Sequence, residues 1–134
     1  MELVVDANVV FSLLIKEGFN YFLLFSGRFH LFTPEYILTE FEKHKAEILK
    51  KTERTIEDFF RLLDILERKI TIVPLEELAE YVPEAEKISP DPGDMVYFAL
   101  ALKLGCPIWS NDKRLKQQKR VTVYHTPELA KLWG

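Results

Sequence analysis

Three aspartates stand at the ends of the apolar segments of this 134-residue chain. Asp6 follows the run LVV, Asp94 directly precedes the run MVYFALAL, and Asp112 is the third residue after PIW. Apolar runs of this kind are typical of buried strands and helices, so we expect the three carboxylates where the core meets water. Carboxylate oxygens are the ligands that hard divalent cations prefer in proteins. The pattern therefore predicts a divalent metal site.

Each aspartate also has a purely structural explanation. Aspartate is a good N-cap, and an acid at the start of a helix is stabilised by the helix dipole. Asp6 and Asp112, however, both follow predicted strands. Ligands of open α/β sheets bind outside the carboxyl ends of such strands, so both positions also suit a binding site.

Polar neighbours of the aspartates are candidates for supporting roles. Asn8 could orient the Asp6 carboxylate, and Asp91 lies one turn before Asp94 as an outer or additional ligand. Ser110 and Asn111 could hold a metal-bound water or a phosphate oxygen. All four could equally be ordinary turn or cap residues.

The helix predicted after Pro34 adds a fourth acidic candidate. Glu40 and Glu42 flank its apolar stripe on opposite sides, so helical periodicity alone does not choose between them. A solvated glutamate is the ordinary alternative for either residue.

Short apolar strands alternate with helical patterns along the chain, which predicts a parallel sheet covered by helices. We predict strands at 3–5, 29–32, 70–73, 108–110 and 121–124, and helices at 9–15, 20–26, 34–50, 53–68, 76–88, 95–104 and from 127. The fold class is thus α/β, a three-layer α/β/α sandwich around a central parallel sheet of about five strands, Rossmann-like in outline.

Three of these helices carry specific expectations. Thr33 and Pro34 form an N-cap and first-turn signal for the helix that ends near Lys50. Pro83 should kink or split the helix at 76–88, because it lacks a backbone donor. The helix at 95–104 is apolar nearly all round, so we expect it to be buried between the sheet and a second surface. A partner subunit is one candidate for that second surface.

Composition bounds the class of protein. A chain of 134 residues with 48% hydrophobic residues supports one core, so residues 1–134 are expected to form a single domain. The single cysteine, Cys106, excludes an internal disulfide and a cysteine zinc site, which favours a reducing, cytoplasmic location. No apolar run reaches the roughly 20 residues of a membrane span. The net charge of -3 leaves nucleic acid binding through local basic patches open.

One such patch is the run KRLKQQKR directly after Asp112. Lys113, Arg114 and Lys116 could hold the phosphate backbone of RNA next to the predicted metal site. The alternative is an ordinary solvated helix face.

The chain resembles the PIN-domain family of metal-dependent ribonucleases. The resemblance lies, in sequence order, in VDANVV, in the acidic helix after Pro34 and above all in GDMVYFALALKLGCPIWSND. VapC-type toxins are the abundant small members of that family. The resemblance implies a PIN-like nuclease domain over almost the whole chain, with Asp6, Glu40, Asp94 and Asp112 as the catalytic metal ligands. Glu42 and Glu35 lie near enough to Glu40 to remain alternatives for the helix ligand.

The resemblance also implies a chemistry and partners. Clustered carboxylates need a cation, and an all-oxygen ligand set suits Mg²⁺ or Mn²⁺. The family relationship implies a metal-activated water that cleaves single-stranded RNA and leaves a 5′-phosphate. It further implies a toxin that a small protein antitoxin neutralises, and a homodimer.

Three other functions compete with this interpretation. The chain could be a noncatalytic PIN-like module that binds RNA or protein, or an RNA-processing nuclease that is not a toxin. A phosphatase-like domain with Asp6 as nucleophile is less favoured, because the first strand is followed by DAN, which lacks the second aspartate of a DxD motif.

Overall fold

The computed structural model describes residues 1–15 and 26–133. Its strands and α-helices are β1 (Glu2–Val5), α1 (Ala7–Ile15), β2 (His30–Pro34), α2 (Tyr36–Lys51), α3 (Ile56–Lys69), β3 (Ile70–Val73), α4 (Val82–Ile88), α5 (Met95–Leu104), β4 (Ile108–Trp109), β5 (Val123–Tyr124) and α6 (Thr126–Trp133). Short 3₁₀ helices cover Leu75–Tyr81, Pro92–Asp94 and Lys113–Gln117.

The five strands form one parallel sheet in the order β3-β2-β1-β4-β5. Helices cover both faces of this sheet, so the predicted three-layer α/β/α class is confirmed. The central strand β1 contributes the fully buried residues Leu3, Val4 and Val5. A continuous apolar run is what a parallel strand needs when helices cover both of its faces.

The chain reverses its direction across the sheet at β1. From β1 it passes to β2 and β3 on one side, and it later returns to β4 and β5 on the other side. Such a switch point leaves a crevice at the carboxyl ends of the central strands, which is where ligands bind in open α/β sheets. Asp6 directly follows β1 and therefore lies at this crevice.

Helix α5 is the buried helix that the sequence predicted, and Tyr97–Ala101 in it are buried. It packs against β1 and β2 on one side and against α4 and the 3₁₀ helix Leu75–Tyr81 on the other. The second covering surface therefore comes from the same chain, and α5 needs no partner subunit to be buried. Gly105 ends the helix with φ 63°, a left-handed conformation that glycine adopts without strain.

The expectation that Thr33 and Pro34 begin helix α2 is wrong. Both residues belong to β2, where they pair with Ile72 and Val73 of β3. The buried Thr33 hydroxyl donates to the carbonyl of Val5 at 3.2 Å, so it does not cap a helix. Pairing with β3, which is distant in the sequence, thus outweighs the local capping signal.

The remaining predicted elements are placed as follows. Pro83 splits the segment 76–88 into a 3₁₀ helix and α4, with the proline in the first turn of α4. The helix predicted at 20–26 lies outside the described residues, except for Ser26, which stands in a turn. Residue 110 follows β4, and residues 121–122 precede β5, so both strands are shorter than predicted. No helix in the described ranges is long and apolar enough to cross a membrane.

Candidate active site

Asp6 is held in the crevice by the neighbouring strand β4. Its side chain is buried, and the Ser110 hydroxyl donates to Asp6 Oδ2 at 2.7 Å. The Asp6 backbone N–H donates to the Trp109 carbonyl at 3.0 Å. Burial raises the pKa of the Asp6 carboxyl, although hydrogen bonds from Ser110 and from the N–H groups of Ala7 and Asn8 oppose this rise. Asp6 is therefore both a helix cap and a buried carboxylate that an added positive charge would stabilise.

Asp112 leaves β4 at the same edge of the sheet. Its backbone N–H donates to Ser110 Oγ at 3.1 Å, so a single hydroxyl contacts both Asp6 and Asp112. The Asp112 carboxylate caps the following 3₁₀ helix by accepting the Arg114 N–H at 3.0 Å. It also accepts the Arg114 guanidinium at 2.8 Å, and this contact lowers the pKa of Asp112. The predicted cap role of Asp112 is thus present in the structure.

Asp94 differs from the other two aspartates, because it stands at the start of α5 without a side-chain capping bond. Burial raises the pKa of its carboxyl to about 6, and the negative charges of Asp6, Asp91 and Asp112 contribute to this rise. Asp91, in contrast, accepts the Gly93 N–H at 2.8 Å and contacts Arg114 Nη1 at 3.4 Å. Helix capping therefore explains Asp91, whereas it does not explain the position of the Asp94 side chain.

The structure separates the three glutamates of the α2 region. The charge of Glu40 raises the pKa of Tyr97 on α5, after the larger effects of burial and Asp6. Glu42 lines an apolar groove on another side of α2. The Glu35 carboxylate accepts the Leu75 N–H at 2.7 Å. Glu40 therefore stays the predicted helix ligand, and Glu42 and Glu35 stay its alternatives.

The negative charge and the oxygen atoms of this region suit a hard divalent cation. The described side chains, however, are not yet arranged around one. Asp6, Glu40, Asp94 and Asp112 offer only oxygen ligands, and like charges already raise the pKa of Asp94. Across residues 1–15 and 26–133, however, no group of three His, Cys, Asp or Glu side chains is arranged to hold an ion. Arg114 pairs with Asp112 and Asp91. Asp112 would have to exchange this guanidinium for the metal.

A family model described as a PIN domain matches residues 4–126. The chain belongs to the PIN domain family. PIN domains are generally nucleases, so membership supports a hydrolase activity. No curated relative matches the chain.

Among solved structures, the PIN domain is similar to a chain in the crystal structure of VapBC2 from Rickettsia felis bound to a DNA fragment from their promoter. The TM-score is 0.66 at 14% sequence identity, and the match covers 93% of this chain and 98% of the other. At this identity the likeness shows the fold, and it is in keeping with the family assignment.

The supporting residues of the PIN domain fall into different roles. Ser110 lies between two of the acids, as described above. Asn111 accepts the Thr126 N–H at 2.8 Å and donates to the Thr126 hydroxyl at 2.9 Å, so its amide fixes the start of α6. These bonds use both ends of the amide in the structural role that was the alternative for Asn111, and a role in holding a water or phosphate stays a prediction. Asn8 is exposed in the first turn of α1, and its backbone N–H is the group that acts on Asp6.

The basic run after Asp112 forms a 3₁₀ helix, and much of its charge faces acids of the same PIN domain. Arg114 pairs with Asp112 and Asp91, and Lys116 pairs with Glu128. Lys113 is exposed at the start of this helix. Exposed ion pairs of this kind are weak, so a phosphate can replace the acid in such a pair.

Sequence reasoning missed two residues near the acids. Tyr97 lies three residues after Asp94, on the same face of α5, and that helical spacing was the available signal. His125 directly follows β5 at the carboxyl edge of the sheet, and it contributes to the lowered pKa of Asp112. Its position after a predicted strand, like those of Asp6 and Asp112, could have indicated it.

Proposed function

We propose that this PIN domain is a metal-dependent endoribonuclease that hydrolyses phosphodiester bonds of single-stranded RNA. The observation that carries the proposal is the group of acids at the switch point of the sheet. Asp6 is buried there, and the pKa of Asp94 is raised to about 6 by burial and by its acidic neighbours. Folding brings these negatively charged carboxylates together, which is unfavourable because like charges repel. A bound divalent cation would neutralise that repulsion.

In this proposal Asp6, Glu40, Asp94 and Asp112 hold Mg²⁺ or Mn²⁺. When bound, the metal activates water for in-line attack on the phosphodiester and stabilises charge on the departing oxygen. Ser110 keeps the Asp6 carboxylate in place through its 2.7 Å hydrogen bond. Arg114, once released from Asp112, presents a planar guanidinium that can bind two phosphate oxygens. Lys113 and Lys116 contribute charge for the RNA backbone.

Cleavage of an end-labelled single-stranded RNA tests the activity. We expect cutting with Mg²⁺ or Mn²⁺, loss of cutting with EDTA, and loss in both Asp6→Asn and Asp112→Asn. Asp64→Asn is the matched control, because Asp64 is an exposed aspartate on α3 that pairs with a surface arginine, Arg68, at 2.8 Å. Folded protein that cuts none of a varied set of RNAs with either metal would contradict the proposal.

We further propose that the nuclease is the toxin of a toxin-antitoxin pair, located in the cytoplasm and neutralised by a small protein antitoxin. The likeness to a chain of VapBC2 supports this, as does an apolar groove of about 410 Å³ between α1, α2 and α3. Leu38 and Phe60 line that groove and are 47% and 46% exposed. Exposed apolar surface of this kind is typical of a protein-binding site.

Induced expression in a bacterial host tests the toxin assignment. We expect growth arrest with the unaltered chain and normal growth with Asp6→Asn at equal protein level. Normal growth with a protein that cleaves RNA in the test tube would instead favour an RNA-processing nuclease that is not a toxin.

The homodimer also remains a proposal, supported by the family resemblance. Light scattering coupled to gel filtration tests it directly. A monomer at high protein concentration would contradict it.

A noncatalytic RNA- or protein-binding module is the second candidate, because one observation favours it. The acids Asp112 and Asp91 already serve as helix caps and share Arg114. Calorimetric titration with Mn²⁺ separates the two candidates, since the module has no need to bind a metal and the nuclease must bind one.

A further inference from the structure

Tyr97 carries a buried hydroxyl whose position ordinary packing does not explain. The residue is only 2% exposed, and its hydroxyl has no hydrogen-bond partner among the described residues. A phenol that is buried normally finds a partner for its O–H, because an unpaired polar group in the interior is unfavourable. Phenylalanine would fill the same space without this penalty.

The surroundings of the hydroxyl show what it could bind. Asp6, Glu40 and Asp94 act on it electrostatically and, after burial, raise the pKa of Tyr97. The group is therefore a buried, protonated donor without a partner in the described part of the chain, and it lies within the electrostatic reach of carboxylates that follow β1, belong to α2 and precede α5. A donor among carboxylates is suited to hold one of them in position.

Glu40 is the carboxylate that most needs such a donor. Asp6 already accepts from Ser110 at 2.7 Å and from backbone N–H groups. Asp94 is fixed to the same helix as Tyr97, only three residues away. Glu40 comes from α2, and His44 Nε2 lies 3.7 Å from its Oε2, which is too long for a hydrogen bond.

We propose that Tyr97 is a positioning residue, whose hydroxyl donates a hydrogen bond to the Glu40 carboxylate when a divalent cation draws the acidic side chains together. The inference rests on the metal binding of the proposed function. It assigns the buried hydroxyl a partner and joins α2 to α5 across the site. It also explains why the buried stretch Tyr97–Ala101 of α5 carries a phenol among apolar side chains.

Calorimetric titration of the full chain with Mn²⁺ tests the proposal, independently of any RNA cleavage. We expect Tyr97→Phe to bind Mn²⁺ about tenfold more weakly than the unaltered chain, as is usual when a group that orients a metal ligand is lost. In EDTA, Tyr97→Phe should melt at the same temperature as the unaltered chain or higher. Tyr81→Phe, a half-buried tyrosine on the 3₁₀ helix Leu75–Tyr81, is the matched control and should bind like the unaltered chain.

A double-mutant cycle shows whether Tyr97 acts through Glu40. Glu40→Gln should weaken Mn²⁺ binding, and adding Tyr97→Phe to it should cause little further loss. Independent, additive losses would overturn the proposed partner. Unchanged Mn²⁺ affinity in Tyr97→Phe, or a clearly lower melting temperature in EDTA, would overturn the positioning role.

The same titration distinguishes failure of this inference from failure of the proposed function. If the unaltered chain binds Mn²⁺, Asp6→Asn does not, and Tyr97→Phe binds normally, only the inference is wrong. If the unaltered chain binds no Mn²⁺, the metal site itself is wrong and the inference falls with it.

Discussion

Ser110 lies between two candidate metal ligands, Asp6 and Asp112, and contacts both of them. The side chain is fully buried, donates to Asp6 Oδ2 at 2.7 Å and accepts the Asp112 N–H at 3.1 Å. Because Asp6 and Asp112 are distant in the sequence, this single hydroxyl links the carboxyl ends of β1 and β4. Its role is therefore to hold two acids in one place.

Removal of this hydroxyl should cost both stability and metal affinity. In Ser110→Ala a buried carboxylate loses its donor and an N–H loses its acceptor, so we expect a loss of about 1–3 kcal/mol in the free energy of unfolding. Urea unfolding measures it, and Thr39→Ala, at an exposed position of α2, is the control. Unfolding of Ser110→Ala at the same urea concentration as the unaltered chain would rule this role out.

The raised pKa of Asp94 predicts a pH dependence of stability in the absence of metal. The folded state holds the proton of Asp94 up to about pH 6, compared with the ordinary value of 3.8. The stability that this proton contributes is complete below pH 3.8 and is lost as the pH rises through about 6.

Asp94→Asn cannot lose that proton, so in EDTA it should be more stable than the unaltered chain at pH 7.5. At pH 4 the difference should be much smaller. Paired urea unfolding curves at the two pH values measure it. A stability difference that does not change with pH would show that the Asp94 carboxyl is not destabilised by its neighbours.

At the scale of elements, local patterns predicted the helices and strands well, and contacts between distant segments decided the exceptions. The apolar runs at Leu3–Val5, Ile70–Val73 and Met95–Leu104 were enough to place the strands and the buried helix. Thr33 and Pro34 looked like the start of a helix, but pairing with β3 extends β2 through them. Strand pairing depends on residues far apart in the chain, which a local signal cannot report.

In the candidate site, too, local sequence patterns indicated some residues, whereas the arrangement of others depends on contacts between distant segments. The three aspartates could be found from their positions after strands or before a helix. The choice between Glu40 and Glu42 depends on which side of α2 lies nearer α5, and periodicity alone leaves that open. The pairing of Arg114 with Asp112 and Asp91, and the use of the Asn111 amide to hold Thr126, depend on tertiary contacts.

Substitution of two adjacent phenylalanines on α3 tests how this helix packs. Phe59 is fully buried and stacks on Phe41 of α2 with ring centroids 6.2 Å apart, whereas Phe60 is 46% exposed in the groove. We expect Phe59→Ala to lower the free energy of unfolding by about 3–5 kcal/mol. Phe60→Ala should cost much less, and equal losses in a urea titration would contradict the packing described for α3.

Across the whole molecule, the positions of the basic residues say more about RNA binding than the net charge does. The net charge is -3, yet the basic 3₁₀ helix Lys113–Gln117 lies directly after a candidate metal ligand at the carboxyl edge of the sheet. Lys69 precedes β3 and therefore lies at the opposite, amino edge. We expect RNA to bind at the carboxyl edge, where basic residues lie beside the candidate metal ligands.

Fluorescence anisotropy with the inactive Asp6→Asn protein measures this binding without cleavage. We expect Lys113→Ala to weaken RNA binding and to reduce the slope of log K against log salt by up to about one unit. Lys69→Ala should bind like the parent. Equal losses from both substitutions would mean that binding follows overall charge and is not located beside the site.

The dependence of RNA cleavage on Mg²⁺ concentration shows whether the acids form a catalytic metal site. We expect a rate that rises with Mg²⁺ and saturates in the unaltered chain and in Asp64→Asn. In folded Asp6→Asn we expect a rate ~100-fold lower at every Mg²⁺ concentration, because that change removes a proposed metal ligand. Cleavage that persists in EDTA, or that folded Asp6→Asn carries out at the normal rate, would contradict a metal site built on these acids.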